Sequence, residues 1–234
     1  MRHREWDRSA GRRWLVVAAV AGGLFLVLTW AVLALDRVPS VDLTVTRWIA
    51  DHRTPAVTTL CRGLAVLGSW PSLLVLSLAV GGWYLWRSRD WRPGAELVVA
   101  LLGSIVLYRV VKAIIDRPRP PAWLRIGNEV PSGAAFPSGH ATQTVAVLGI
   151  LALILASGRS RRTDVAIAWV AGLILFAVGV SRVYLGLHWM TDVIGGWLLG
   201  LFWMATMVVG AGRGAFRPRG APVRTGWYRP VRGP

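Results

Sequence analysis

Apolar residues run through this chain in six long blocks, separated by short polar segments rich in arginine. Residues 14–35 are 22 consecutive uncharged positions. At about 1.5 Å per helical residue they reach across roughly 30 Å of hydrocarbon. Five further blocks follow at 70–86, 97–115, 141–157, 165–181 and 193–212. Several are close to the shortest length that spans a bilayer, which predicts little tilt or polar extensions at their ends. Between 35 and 70 the pattern changes. Segments 39–50 and 55–67 mix apolar and polar positions and carry Arg47, Arg53 and Arg62. They predict two short amphipathic helices lying at the outer interface, since a seventh span there would bury Arg62. The predicted fold is all-α, an integral membrane six-transmembrane-helix bundle with short outer interfacial helices.

Composition supports that pattern. Of 234 residues 54% are hydrophobic and 16% charged, well short of the roughly one-quarter charged of soluble domains. The 27 Lys+Arg outweigh the 11 Asp+Glu, a balance that alone would suit nucleic acid. Here the cations fall in clusters between apolar blocks, which predicts membrane lipids rather than nucleic acid as the surroundings. The single cysteine, Cys61, excludes an intrachain disulfide and any multi-cysteine metal site and reads as a packing residue. Several of the 14 tryptophans, among them Trp14, Trp30, Trp70, Trp86 and Trp189, sit near predicted span ends, as interfacial aromatics do. The first block follows a basic head but is too long for a signal h-region, and no small-residue cleavage site precedes Asp36, so it reads as a retained helix.

Six spans place both termini on one side. That side receives the arginines of residues 2–13, 87–92, 159–162 and the tail, and the asymmetry assigns it to the cytoplasm of a multi-pass plasma-membrane protein. The domain reading is a basic cytoplasmic N-terminus over 1–13, a membrane domain over 14–212 and an Arg/Pro/Gly-rich cytoplasmic tail, without periodicity and read as disordered, over 213–234.

Three polar stretches remain, and the span order brings all of them to the outer ends of spans three to six: KAIIDRPRP at 112–120, FPSGH at 136–140 and SRVYLGLHWMTD at 181–192. Ionisable residues at such positions are functional candidates. Lys112, Arg119 and Arg182 supply three cations for a phosphate dianion and its equatorial oxygens. Lys112 is the chain's only lysine, a compact point charge where every topological cation is arginine. Pro118 and Pro120 fix Arg119 in an extended segment. Ser138 and Gly139 open a helix whose first amides face an anion, with the Ser138 hydroxyl as a further donor. His188 and Asp192, four apart, share a helical face, so the carboxylate binds one ring nitrogen and leaves the other as nucleophile or base. His140 adds a second histidine, and two histidines with different neighbours permit a nucleophile and a separate acid. Singly, each has a plain reading as snorkelling lysine, helix cap or interfacial pair; jointly, at one face, they point to phosphoryl transfer. Arg109 and Asp116 share a face with Lys112 and read as structural, as does the small pair Gly196 and Gly200, which suits helix packing.

In order and spacing these stretches resemble the three-part signature of the type 2 phosphatidic acid phosphatase (PAP2) family, whose site is similar to that of vanadium haloperoxidases. The pattern is a lysine, six residues and Arg-Pro; then Pro-Ser-Gly-His; then Ser-Arg, five residues, His, three residues and Asp. All positions match, and the resemblance covers roughly residues 70–205. It implies a metal-independent, cofactor-free lipid phosphate phosphatase acting at the extracytoplasmic face on a lipid such as undecaprenyl diphosphate, phosphatidylglycerol phosphate or phosphatidic acid. In that scheme His188 attacks phosphorus and Asp192 orients it. Lys112, Arg119, Ser138, Gly139 and Arg182 bind the phosphoryl oxygens, and His140 is the acid and then the base. Two alternatives use the same sequence: phosphotransfer from phospho-His188 to an alcohol, and a non-catalytic lipid-binding or transport protein.

Overall fold

The computed structural model describes residues 2–34, 39–127, 133–156 and 159–211. The tail over 213–234 and part of the 121–135 loop lie outside the described residues. Among those described, the secondary structure is helical throughout: α1 (Arg2–Ala34), α2 (Ser40–Asp51), α3 (Pro55–Leu67), α4 (Trp70–Ser88), α5 (Arg92–Ile115), a single 3₁₀ turn η1 (Ala122–Leu124), α6 (Gly139–Ala156), α7 (Arg161–Tyr184) and α8 (Met190–Ala211). The six apolar blocks are the six long helices, and the two amphipathic segments are α2 and α3. The all-α membrane bundle expected from the sequence is the fold.

Local chemistry sets the boundaries. Thr54 caps α3 by accepting the Val57 amide at 3.3 Å, and Pro55 follows at the first helical position. Ser160 caps α7 through the Thr163 amide at 3.2 Å. Helix α5 stops at Asp116, which turns into the left-handed region at φ 43° while its amide bonds the Lys112 carbonyl. That turn releases 117–120, alternating arginine and proline, as a non-helical segment.

Among the described residues five helices are long and apolar enough to span a membrane alone; α4 reaches that standard only when joined to α3, across a bend of 56°. The reason is its last turn and a half, where Trp83, Tyr84, Trp86 and Arg87 dilute the apolar run with residues that favour the interface. Helix α3 therefore continues into α4 as a broken element. Gln143 of α6 secures the break by donating to the Gly68 carbonyl at 2.7 Å.

Helix α6 is the axis, packing against α4, α5, α7 and α8, with α1 laid along α8. The main core joins Leu73, Leu97, Leu101, Ile150, Ile154, Met204 and Val208. Leu15, Leu26, Val75, Trp169 and Leu173 are exposed on the outside, where lipid is the solvent that accepts them. Helix α8 meets α6 backbone to backbone. A Cβ at Gly196 would stand 2.6 Å from the Ser138 carbonyl oxygen, and one at Gly200 2.5 Å from that of Thr142. Neither obstacle is a side chain able to swing aside, so the small pair is a packing device. Gly200→Val should destabilise the bundle by about 2–3 kcal/mol, read as a lower melting midpoint in detergent; an unchanged midpoint would contradict this packing.

Candidate active site

The C-terminal end of α5, the start of α6 and the link from α7 to α8 meet at one end of the bundle. All eight residues singled out by sequence lie there. His188 is the centre, 3% exposed. Its Nδ1 faces Asp192 Oδ2 at 3.4 Å, and its Nε2 lies 3.3 Å from Arg119 Nη1. Lys112, Arg119 and Arg182 all act electrostatically on its ring. His140 feels Arg182, His188 and Arg119, and its ring donates to the backbone of Ala65 in α3.

Each side chain is placed by a specific local device. The α7–α8 link turns at Gly186, φ +71°, where a Cβ would fall 2.0 Å from the Leu124 carbonyl oxygen, so only glycine fits. The amides of Leu187 and His188 then bond the Arg182 carbonyl at 3.1 and 3.3 Å. Arg119 is tied on both sides, donating at 2.9 Å to the carbonyls of Gly133 and Leu187. Lys112 Nζ bonds the carbonyl of Ala134 and, at 3.1 Å, that of Ala135. Gly139 lies against the Tyr108 ring, 3.0 Å from where a Cβ would stand.

Ser138 differs from the sequence expectation in one respect. Its amide is not open to an anion, because it donates to the Asp192 carbonyl at 2.9 Å. The Thr142 amide closes the first helical bond on the Ser138 carbonyl at 3.0 Å. The amides of residues 139–141 are then the first-turn donors without a carbonyl behind them. Ser138 Oγ is fully buried and has no hydrogen-bond partner among the described residues. A buried hydroxyl left unmade costs about 1–3 kcal/mol. Beside Arg119 an open cleft of ≈ 580 Å³, lined by Asp116, Pro118, Arg125 and Gly133, leads to the surface.

The electrostatics suit a nucleophile. Burial, and then the positive charges of Lys112, Arg119 and Arg182, hold the His188 pKa well below its usual value. The imidazole is neutral at physiological pH. In the tautomer with Nδ1–H directed at Asp192, the lone pair is on Nε2.

Residues 93–213 match the sequence profile of the PAP2 superfamily. The chain belongs to the PAP2 superfamily. It is similar to phosphatidylglycerophosphatase B of Bacillus subtilis, with 30% identity over 180 residues that cover 76% of this chain and 87% of the relative. It is also similar to an undecaprenyl-diphosphatase of Sulfolobus acidocaldarius, 36% identical over 118 residues, 48% of this chain and 52% of the other. Among solved structures, the transmembrane PAP2-type phosphatidylglycerolphosphate phosphatase of Bacillus subtilis superposes with a TM-score of 0.73 at 28% identity, covering 81% of this chain and 93% of that one. The protein is a multi-span membrane phosphatase of the PAP2 type.

Sequence reasoning missed parts of this PAP2 site. Trp189, expected as an interfacial anchor, is 2% exposed. Its indole donates to the Pro118 carbonyl at 2.9 Å and its amide to Asp192 Oδ2 at 2.8 Å, so it braces the site from inside. Asp116 and Arg109, read from the sequence as structural, are both exposed, whereas Arg117, which no local pattern marks, is fully buried against Asp192.

Proposed function

We propose that this PAP2 phosphatase hydrolyses a phosphomonoester or diphosphate carried by a lipid, through a phosphohistidine on His188. The observation that carries the reading is the His188 ring itself, held through Nδ1 by Asp192 with Nε2 turned to the guanidinium of Arg119. In the first step Nε2 attacks phosphorus, the N–P bond forms, and the P–O bond to the leaving group breaks. His140 gives that oxygen its proton. In the second step a water loses a proton to His140 and attacks the phosphorus of phospho-His188. The N–P bond breaks, inorganic phosphate leaves, and both histidines return to their starting states. Lys112, Arg119, Arg182, the Ser138 hydroxyl and the Gly139 amide bind the phosphoryl oxygens, and Asp192 stabilises the imidazolium charge as it develops.

The arginine distribution supports both termini in the cytoplasm and this end of the bundle at the extracytoplasmic face of the plasma membrane. There the apolar tail of a substrate stays in the bilayer while its phosphate enters the cleft. The names of the relatives favour phosphatidylglycerol phosphate and undecaprenyl diphosphate as substrates, with phosphatidic acid sharing the same terminal group. Purified protein assayed on the three lipids in excess EDTA should release phosphate from at least one of them. Turnover that appears only on adding Mg²⁺ would sink the cation-based scheme.

A further inference from the structure

Helix α2 brings a second ion cluster to the same end of the bundle. Asp42, in the first turn of α2, is fully buried. It receives Arg117 Nη2 at 2.6 Å, the Thr191 hydroxyl at 2.5 Å and the Thr191 amide at 3.0 Å. Arg117, 1% exposed, sends Nη1 to Asp192 Oδ1 and, at 2.7 Å, to the Thr191 hydroxyl. The other oxygen of Asp192 takes the Trp189 amide and faces His188. A continuous path therefore runs Asp42, Arg117, Asp192, His188.

This arrangement has two physical consequences. Helix α8 begins at Met190, which leaves Trp189 as its N-cap, and an indole offers no acceptor to first-turn amides. Asp192, at the third helical position, reaches back to the Trp189 amide as the acid of a capping box does. Asp42 takes the Thr191 amide from a separate helix, so the turn that aims Asp192 is held from both sides. The second consequence is charge. A guanidinium on a single buried carboxylate would neutralise it and weaken its pull on the His188 ring. With Asp42 present, Arg117 has a counter-charge of its own, and the cluster keeps one negative charge in excess. Asp192 is the carboxylate that faces His188, in surroundings otherwise dominated by Lys112, Arg119 and Arg182.

We propose that Asp42 and Arg117 are positioning residues for the reaction. Asp42 seats the first turn of α8 and supplies the counter-charge that leaves Asp192 able to hold His188 as its Nδ1–H tautomer. The proposal rests on the reading of His188 as the nucleophile. It gives α2, outside the signature stretches, a direct part in turnover.

The test compares wild type, Asp42→Asn, Asp42→Asn/Arg117→Gln and His188→Ala in detergent with a short-chain lipid phosphate. Asp42→Asn leaves Arg117 to neutralise Asp192, and kcat should fall about 10–100-fold with KM within about two-fold of wild type. The double variant removes one charge of each sign, restores the excess negative charge on Asp192, and should turn over within about ten-fold of wild type. Recovery on losing a second group is not what a purely structural pair would give. Wild-type kcat in Asp42→Asn overturns the proposal, as does a folded double variant no faster than the single one. Loss of fold in both variants, read by melting midpoint, would make the pair structural and also overturn it. Should Asp42→Asn alone fail to fold, the double variant decides by the same ten-fold limit. His188→Ala separates the levels: if it stays active, the nucleophile reading fails; if it is dead while Asp42→Asn is normal, only this proposal fails.

Discussion

His188→Ala should release no phosphate above background, a loss in kcat of at least roughly 10⁴-fold. The ring is the nucleophile of the proposed scheme, with Nε2 turned to the Arg119 guanidinium, and alanine leaves nothing to form the N–P bond. Lys112, Arg119 and Arg182 remain, so the variant should still bind a lipid phosphate and compete with wild type for it. A phosphoprotein stable to base and labile to acid should be trapped in wild type during turnover and be missing from the variant. The wild-type pH profile bears on the same atom. Because burial and three cations lower the His188 pKa, the neutral ring persists as pH falls through the ordinary imidazole range near 6.5. The acidic limb of kcat/KM that reports the nucleophile should therefore lie below that range. A His188→Ala protein within ten-fold of wild type would remove the double-displacement scheme.

The parts of this protein that its sequence reveals are those encoded locally. An uncharged run of 22 residues has few fates besides a span, and with the five shorter apolar blocks it orders the bundle. Once the order is known, Lys112, Ser138, Arg182 and His188 must share an end, because Lys112 and Arg182 close their helices there and Ser138 and His188 lie just before the next ones. The rest depends on partners distant in sequence. Asp42 bonds Thr191 across 149 positions, and the α2 pattern, which marks an interfacial helix, does not say that its one first-turn acid points into protein. Trp189 obeys the rule for aromatics at span ends and is buried all the same, because the α7–α8 link folds inward at Gly186. The Ser138 amide belonged to the expected anion nest until the Asp192 carbonyl, packed close by the glycine face of α8, took it up. Each of these differences arises from tertiary contact overriding a sound local rule.

Asp192→Asn should lower kcat by about 10²–10⁴-fold while leaving KM within a few-fold of wild type. The substitution preserves volume, so its effect isolates hydrogen-bond direction. Asp192 is surrounded by donors: Arg117 at Oδ1, and the Trp189 amide and the His188 ring at Oδ2. A carboxylate accepts from all of them, whereas an asparagine has a single acceptor oxygen. If the oxygen faces His188, the amide nitrogen meets the buried guanidinium of Arg117 and leaves a charge without its acceptor, which is costly in a fully buried pair. If the oxygen faces Arg117, the amide nitrogen faces Nδ1 and favours the tautomer with the proton on Nε2. The attacking lone pair is then on the wrong side of the ring. The second arrangement retains the charge-assisted bond, so the expected variant is folded, binds substrate and holds its nucleophile in the inactive tautomer. Steady-state kinetics on a short-chain lipid phosphate, with a melting midpoint as the control for folding, would check this. A kcat within ten-fold of wild type would mean that Asp192 does not set the direction of the His188 ring.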